Sequence, residues 1–381
     1  MIYLDHNAST PVRPEVAQAM HLALSDLGAN PSSSHREGQR VRAALERARA
    51  QVAAFAGSRV DEVVFVSGGT EGDHLAVIGA AWARRDHGRH VAFAAVEHHA
   101  VHGAAEVLEE LGWTHEELPC DAQGRTRVEA IDALPAGTTV ASVMLANNET
   151  GVVQPVRALA DRAHLRGMLL HCDAVQAMGK LPVDFAMLGA DFLVLSGHKF
   201  GGPKGAGALI VRNGVPMQPL FRGSAQEHGR RGGTENVAGI IGLGLACELV
   251  AHDLAAHAEA MQGLRLQFEQ ALLAAVPDAM IHGRDAERLP NTVNVSFLGA
   301  RSDHLLLALD ARGVCCSAGA ACASGGVEPS AVLRAMGVPR QWAVSALRFS
   351  LGRGTTLAEL HAAVVHVADS VERIRAAGVS T

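Results

Sequence analysis

The feature that most restricts what this chain can become is a repeated alternation of short apolar runs with helical patterns. Residues 63–66, 91–96, 139–145, 168–171, 192–195 and 206–211 are apolar, often β-branched, and bounded by small or polar residues. Helical spacing fills most of the intervals between them. Such alternation predicts a mainly parallel sheet with helices on both faces. Ligands of these sheets sit beyond the carboxyl ends of the strands. The residues that follow each run are therefore the first candidates for function.

After the first run, Ser67, Gly68, Gly69, Thr70, Glu71 and Gly72 open a helix. Glycines and a hydroxyl at a helix start make an anion cup, because free N–H groups and the helix dipole both favour a phosphate. The spacing is not GxGxxG, so no dinucleotide fold is expected. The next ends carry Glu97, His98 and His99, then Asn147 and Asn148, then Asp173 and Gln176. The 192–195 run empties into Ser196, Gly197, His198 and Lys199, followed by a Gly-Gly-Pro turn. Lys180, Lys199 and Lys204 are the only lysines among 33 basic residues. A chain that uses arginine elsewhere and keeps a lysine at a strand end suggests a job arginine cannot do, and a Schiff base with a carbonyl is such a job. Each loop alone has an explanation in turn chemistry. Taken together, an anion cup, a histidine, an amide, a carboxylate and a lysine suit a flat heteroaromatic ring bearing a phosphate and an aldehyde. His98 and His102 have the spacing of a metal pair, but no third ligand follows at a recognisable distance, so no metal is expected.

At 381 residues, a large domain and a smaller one are the natural division. We expect residues 15–255 to form the large domain, with 1–14 and 256–381 forming a smaller α+β domain. A long helical stretch at about 237–275 links them, after a second loop of basic and hydroxyl residues that includes Arg230, Arg231 and Thr234. The smaller domain reads as strands at 292–297 and 346–351 with helices around 303–311, 329–336 and 356–377. Within it, residues 315–326 hold Cys315, Cys316 and Cys322 among alanine, glycine and serine. That run has almost no packing bulk and reads as a mobile loop, about 315–330, that exposes Cys322. The net charge of −6 argues against nucleic acid as a general partner. No secretory signal or apolar run of membrane-spanning length is read, and six cysteines without a framework favour the cytoplasm.

The motifs SGGTEGD, VEHHAV, NNETGVVQP, HCDAVQ, SGHKFGGPKG, RRGGTEN, SAGAACAS and LRFSLGR occur in this order from LDHNASTP to LGRGTT. In that set the chain resembles the cysteine desulfurases of the class V aminotransferase group, enzymes that use pyridoxal 5′-phosphate (PLP). The small-residue loop resembles that of the group I subset. The resemblance implies a type I PLP-transferase fold with a mainly parallel seven-stranded sheet. It implies that Lys199 holds the cofactor and takes the substrate α-proton, that Asp173 pairs with the ring nitrogen, and that Gln176 and Asn148 lie near the ring oxygen. His98 would stack on the ring and assist proton transfers as a catalytic residue. Gly69, Thr70, Ser196 and His198 would hold the phosphate, joined by Thr234 from a second subunit, which implies a homodimer. Arg348, helped by Asn30, would clamp the carboxylate of L-cysteine. Cys322 would take the sulfur as a persulfide, release alanine, and pass the sulfur to an acceptor protein of iron–sulfur assembly, tRNA thiolation or DNA sulfur modification. Two positions depart from the usual motifs, Ala320 and Ser9, and neither removes a catalytic group. The competing readings are a class V aminotransferase or selenocysteine lyase, a non-catalytic sulfur carrier, and a metal-binding protein.

Overall fold

The computed structural model describes residues 1–319, 321–323 and 326–378, with the backbone alone described at 321–323, 326 and 327. After a short strand β1 (Ile2–Tyr3), seven strands build the main sheet: β2 (Val63–Val66), β3 (His90–Ala94), β4 (Thr114–Leu118), β5 (Thr138–Ser142), β6 (Leu169–Asp173), β7 (Phe192–Ser196) and β8 (Gly207–Val211). Their spatial order is β2-β8-β7-β6-β5-β3-β4. Only β8 runs against its neighbours, and every other pairing is parallel. All six strands read from the sequence are present. The one that was missed, β4, reads THEEL and is exposed at four of its five residues. As an edge strand it adds only Leu118 to the core, so it has little apolar signal to read. β5 stops three residues before the expected end, yet Val143 and Leu145 still donate backbone hydrogen bonds to His171 and Asp173 of β6.

β7 is buried at every residue, and Phe192 and Leu193 are fully covered. Burial of each such side chain contributes about 1.5–3 kcal/mol. Helix Gly69–Ala83 crosses the sheet and buries Leu75, Ala76, Val77, Ile78, Ala80 and Ala81. It approaches so closely that a Cβ at Gly72 would lie 2.8 Å from Val194. A bulkier residue there would lift the helix, and the anion cup at its start, off the strand ends.

The remaining strands are β9 (Met280–Ile281), β10 (Thr292–Ser296), β11 (Val314–Cys315), β12 (Ala321–Ala323), β13 (Gly326–Glu328) and β14 (Ala346–Ser350). β14, β10 and β9 form an antiparallel sheet in that order, and β1 pairs in parallel with β11. A second hydrophobic core, with Phe268, Leu272, Val293, Val295, Phe297, Leu347 and Phe349, packs on this sheet. The N-terminal segment thus enters the second core, as Leu4 also shows. Helix Val237–Ala275 serves both cores: Ile240, Leu243 and Ala246 belong to the first, Phe268 and Leu272 to the second. It also corrects one expectation. A window of this helix has the length and mean hydropathy, 1.6, of a membrane span, and half of that window is buried within the protein. Isolated charges such as Glu248 and Asp253 break the run in sequence without making the helix polar.

The run read as a loop contains β12 and β13, paired antiparallel with Cys322 opposite Val327. The pairing is a backbone ladder, which needs no side-chain bulk to form its hydrogen bonds. The side chain of Cys322 lies outside the described residues, as does Ala320.

Candidate active site

The strand ends of the main sheet converge on a cavity of about 400 Å³ lined by Gly69, Thr70, His98, Asn148, Asp173, Gln176, Ser196, His198, Lys199 and Arg348. These are ten of the residues read from the sequence. Asn7, Ala8, Asp73, Met144 and Val175 complete the wall. Asn30 is exposed on a loop, where its Oδ1 accepts the Ser32 N–H at 2.8 Å. Thr234 is exposed and lines a separate pocket beside Arg231 and Ser67. Neither reaches this cavity within one chain.

β7 ends at Ser196 and a 3-10 turn, Gly197–Lys199, turns the lysine toward the cavity rim. Its Nζ donates to the carbonyls of Asn7, at 2.7 Å, and Ala8, at 3.0 Å. Burial, reinforced by the charge of Arg348, pushes the amine down to about 8, against the smaller opposing pull of Asp173 and Asp5. Gly201 follows with φ +88°, a conformation that costs glycine little, and it lets the chain turn away from the site.

At the end of β6, Asp173 is 6% exposed and its Oδ1 accepts the Val175 N–H at 2.8 Å. Burial raises its carboxyl to about 6, while the Val175 N–H and Lys199 hold it from rising further. Here Glu97, already read at a strand end, meets Asp73, Ser142 and His171, buried polar residues that the sequence did not reveal. His171 Nδ1 shares a hydrogen bond with Ser142 Oγ at 2.8 Å, and its Nε2 lies 3.3 Å from Asp73 Oδ1. Ser142 donates to Glu97 Oε1 at 3.3 Å. Burial, then the nearby Asp173 charge, pushes Asp73 well above the usual carboxylate range and Glu97 to about 8.

His98 caps helix His99–Glu110, its Nδ1 accepting the Ala100 N–H at 3.2 Å. The ring is accessible from the cavity although protein surrounds it. That enclosure, and next the charge of Lys199, pushes the imidazole down to about 4, so a neutral flat ring faces the cavity at pH 7. Opposite, helix Gly69–Ala83 begins without a side-chain cap, which leaves its first-turn N–H groups for a ligand. On β14, Arg348 donates from Nη2 to Asp5 at 2.7 Å and from Nη1 to the Asn148 carbonyl at 3.1 Å. Its buried Nε has no partner. Among the described residues, no group of three or more His, Cys, Asp or Glu side chains is placed to hold a metal ion.

A family model described as aminotransferase class-V matches residues 2–362, and the chain belongs to that family. Within it, the chain is 44% identical over 377 residues to a cysteine desulfurase of Trichormus azollae, covering 99% of this chain and 94% of that one. Among solved structures, a NifS-like protein superposes with a TM-score of 0.91 at 32% identity, over 98% of this chain and 99% of the other. SspA in complex with cysteine superposes with a TM-score of 0.81 at 33% identity, over 92% of this chain and 99% of that one.

Proposed function

We propose that the protein is a PLP-dependent cysteine desulfurase, which converts L-cysteine to L-alanine and stores the sulfur on Cys322. The observation that carries this reading is the single cavity in which an uncapped helix start, a buried carboxylate and a lysine of lowered basicity face one another. That donor set fits PLP. The helix start with Thr70, Ser196 and His198 would take the phosphate, Asp173 the ring nitrogen, and Lys199 the aldehyde. When bound, the cofactor supplies an electron-accepting ring conjugated to the substrate nitrogen.

The protein's own groups supply the rest. Arg348, part of the cavity wall, binds the substrate carboxylate through its guanidinium. Lys199 takes the α-proton and later returns a proton to carbon. Cys322 attacks the substrate sulfur: an S–S bond forms as the C–S bond breaks, and the carbon released takes a proton to become alanine. No outside oxidant or reductant is needed. An ordinary thiol has a pKa of about 8.5, so only a few per cent is thiolate at pH 7, and entry into a site containing Arg348 would favour that form.

Thr234, exposed and outside its own chain's cavity, is assigned to the phosphate site of a second copy, and the protein is read as a homodimer. The same reading divides the chain at about residue 255, within the helix that serves both cores, and places it in the cytoplasm, to which the five free cysteines among the described residues are suited. A sulfur-acceptor protein is the onward partner.

The test is Cys322→Ala loaded with PLP. It should keep the cofactor's visible absorbance and lose persulfide formation to below about one hundredth of wild type, measured as a 32-dalton gain on the chain by mass spectrometry. Undiminished persulfide or sulfide release would overturn the role of Cys322. An aminotransferase would instead give a keto acid from L-cysteine and no alanine.

The amine of Lys199 supplies a pH test. With its pKa at about 8 rather than 10.5, the nucleophilic neutral form rises from about a tenth at pH 7 to about nine-tenths at pH 9. The rate of PLP uptake by apoprotein, followed at its visible band, should therefore climb through a midpoint near 8. A midpoint above 10 would mean that the amine is not held in a dry, cationic site.

A further inference from the structure

Two lysines lie at this site, and the proposed chemistry uses one of them. Lys180 is 4% exposed, and its Nζ donates to Gln176 Oε1 at 2.6 Å and to Asn7 Oδ1 at 3.0 Å. Burial, with the charges of Lys199 and Arg348, pushes the amine well below the usual lysine range. Two acceptors, Gln176 Oε1 and Asn7 Oδ1, receive its N–H groups.

The consequence falls on Gln176. A primary amide offers two N–H groups from one end and a carbonyl from the other, and nothing intrinsic decides which end faces a ligand. Here both ends are fixed. Oε1 is taken by Lys180, and one Nε2 proton is taken by the Asn7 carbonyl at 2.9 Å. The amide therefore keeps a single spare N–H, and Gln176 is part of the cavity wall.

Asn7 is equally constrained. Its carbonyl accepts from Lys199 as well as Gln176. Its Oδ1 accepts from Lys180 and from Asn291 Nδ2 at 3.1 Å, and its Nδ2 donates to Thr292 Oγ1 at 2.9 Å. Asn7, whose carbonyl accepts from both Lys199 and Gln176, is thus itself held by Lys180 through its side chain. An arginine at position 180 would bring a larger, permanently charged fork to a place where the lysine donates to two acceptors.

We propose that Lys180 is a positioning residue for the cofactor: it locks the Gln176 amide so that a donor, not an acceptor, faces the phenolic oxygen of a bound pyridoxal ring. The assignment rests on the PLP reading above. It is tested by comparing two ligands, PLP and its 3-O-methyl ether, which carries the same aldehyde and phosphate but a poorer acceptor at the ring oxygen. Apoprotein of wild type and of Lys180→Met, which keeps the chain length without a donor, is titrated with each. For Lys180→Met, the dissociation constant of PLP should rise about tenfold, the scale of one hydrogen bond, while that of the ether changes by less than about twofold. An equal loss for both ligands, the mark of a general packing role, would overturn the assignment, as would no loss for either. Should Lys180→Met not fold, Lys180→Leu, which likewise lacks a donor, is titrated in its place. A loss confined to PLP again supports the assignment, and any other pattern overturns it. Wild-type apoprotein that takes up neither ligand would overturn the cofactor reading together with this one.

Discussion

Lys199→Ala is expected to fold and to turn over L-cysteine about ten-thousand-fold more slowly than wild type. The amine has two uses in the proposed chemistry, holding the aldehyde and moving the substrate proton, and proton transfer alone is worth about 10²–10⁴. Folding should survive. The Asn7 carbonyl keeps its hydrogen bond from Gln176 when the lysine is removed, so the stability lost is about 1 kcal/mol. Lys199→Arg is the sharper control, because it restores a cation and donors but not a nucleophile, and it should be as inactive as alanine. The direct measurement is borohydride reduction of the PLP-loaded protein followed by peptide mass spectrometry. Wild type should carry the cofactor on the peptide containing Lys199, and neither variant should carry it anywhere. Alanine formation by either variant within tenfold of wild type would sink the role assigned to this residue.

What could be read before the fold was known, and what could not, follows from how each group is held. Asp173, Ser196 and Lys199 stand at the ends of apolar runs, and a parallel sheet gathers such ends in one place, so local pattern and topology together gave their convergence. Asn7 carries no such pattern. Its partners lie at 148, 176, 180, 199, 291, 292 and 350, and their meeting at one residue is a property of the tertiary structure alone. The same holds for Asp5, which pairs with Arg348 across nearly the whole chain. Asp73 was hidden for another reason: its helix is buried on several sides, so an acidic residue within it could not be told from a solvent-facing one by spacing. The roles of Asn30 and Thr234 came from resemblance rather than from local chemistry, and one chain does not bring either to the cavity.

Asp173→Asn should lower alanine formation at saturating L-cysteine by about 10- to 1,000-fold, the worth of one to three pKa units of charge pairing. The substitution keeps the shape of the side chain and an oxygen for the Val175 N–H, so it isolates charge. Charge is what distinguishes this carboxyl from its neighbours. Burial holds Glu97 at about 8, so it is mostly protonated at pH 7, and pushes Asp73 well above the usual carboxylate range, whereas Asp173, at about 6, is largely ionised. It is the carboxyl of the three able to pair with a cationic ring nitrogen at neutral pH. The sign of the pH dependence follows: in the unliganded protein that negative charge is present above about 6 and is lost as pH falls through it, so PLP affinity should weaken on the acid side in wild type and show no such limb in Asp173→Asn. Asp73→Asn is the matched comparison, since it replaces a carboxyl whose charged form burial disfavours, and its rate should stay within about tenfold of wild type. Equal losses from the two substitutions would mean that burial of a polar side chain, rather than its charge, is what the site requires from Asp173.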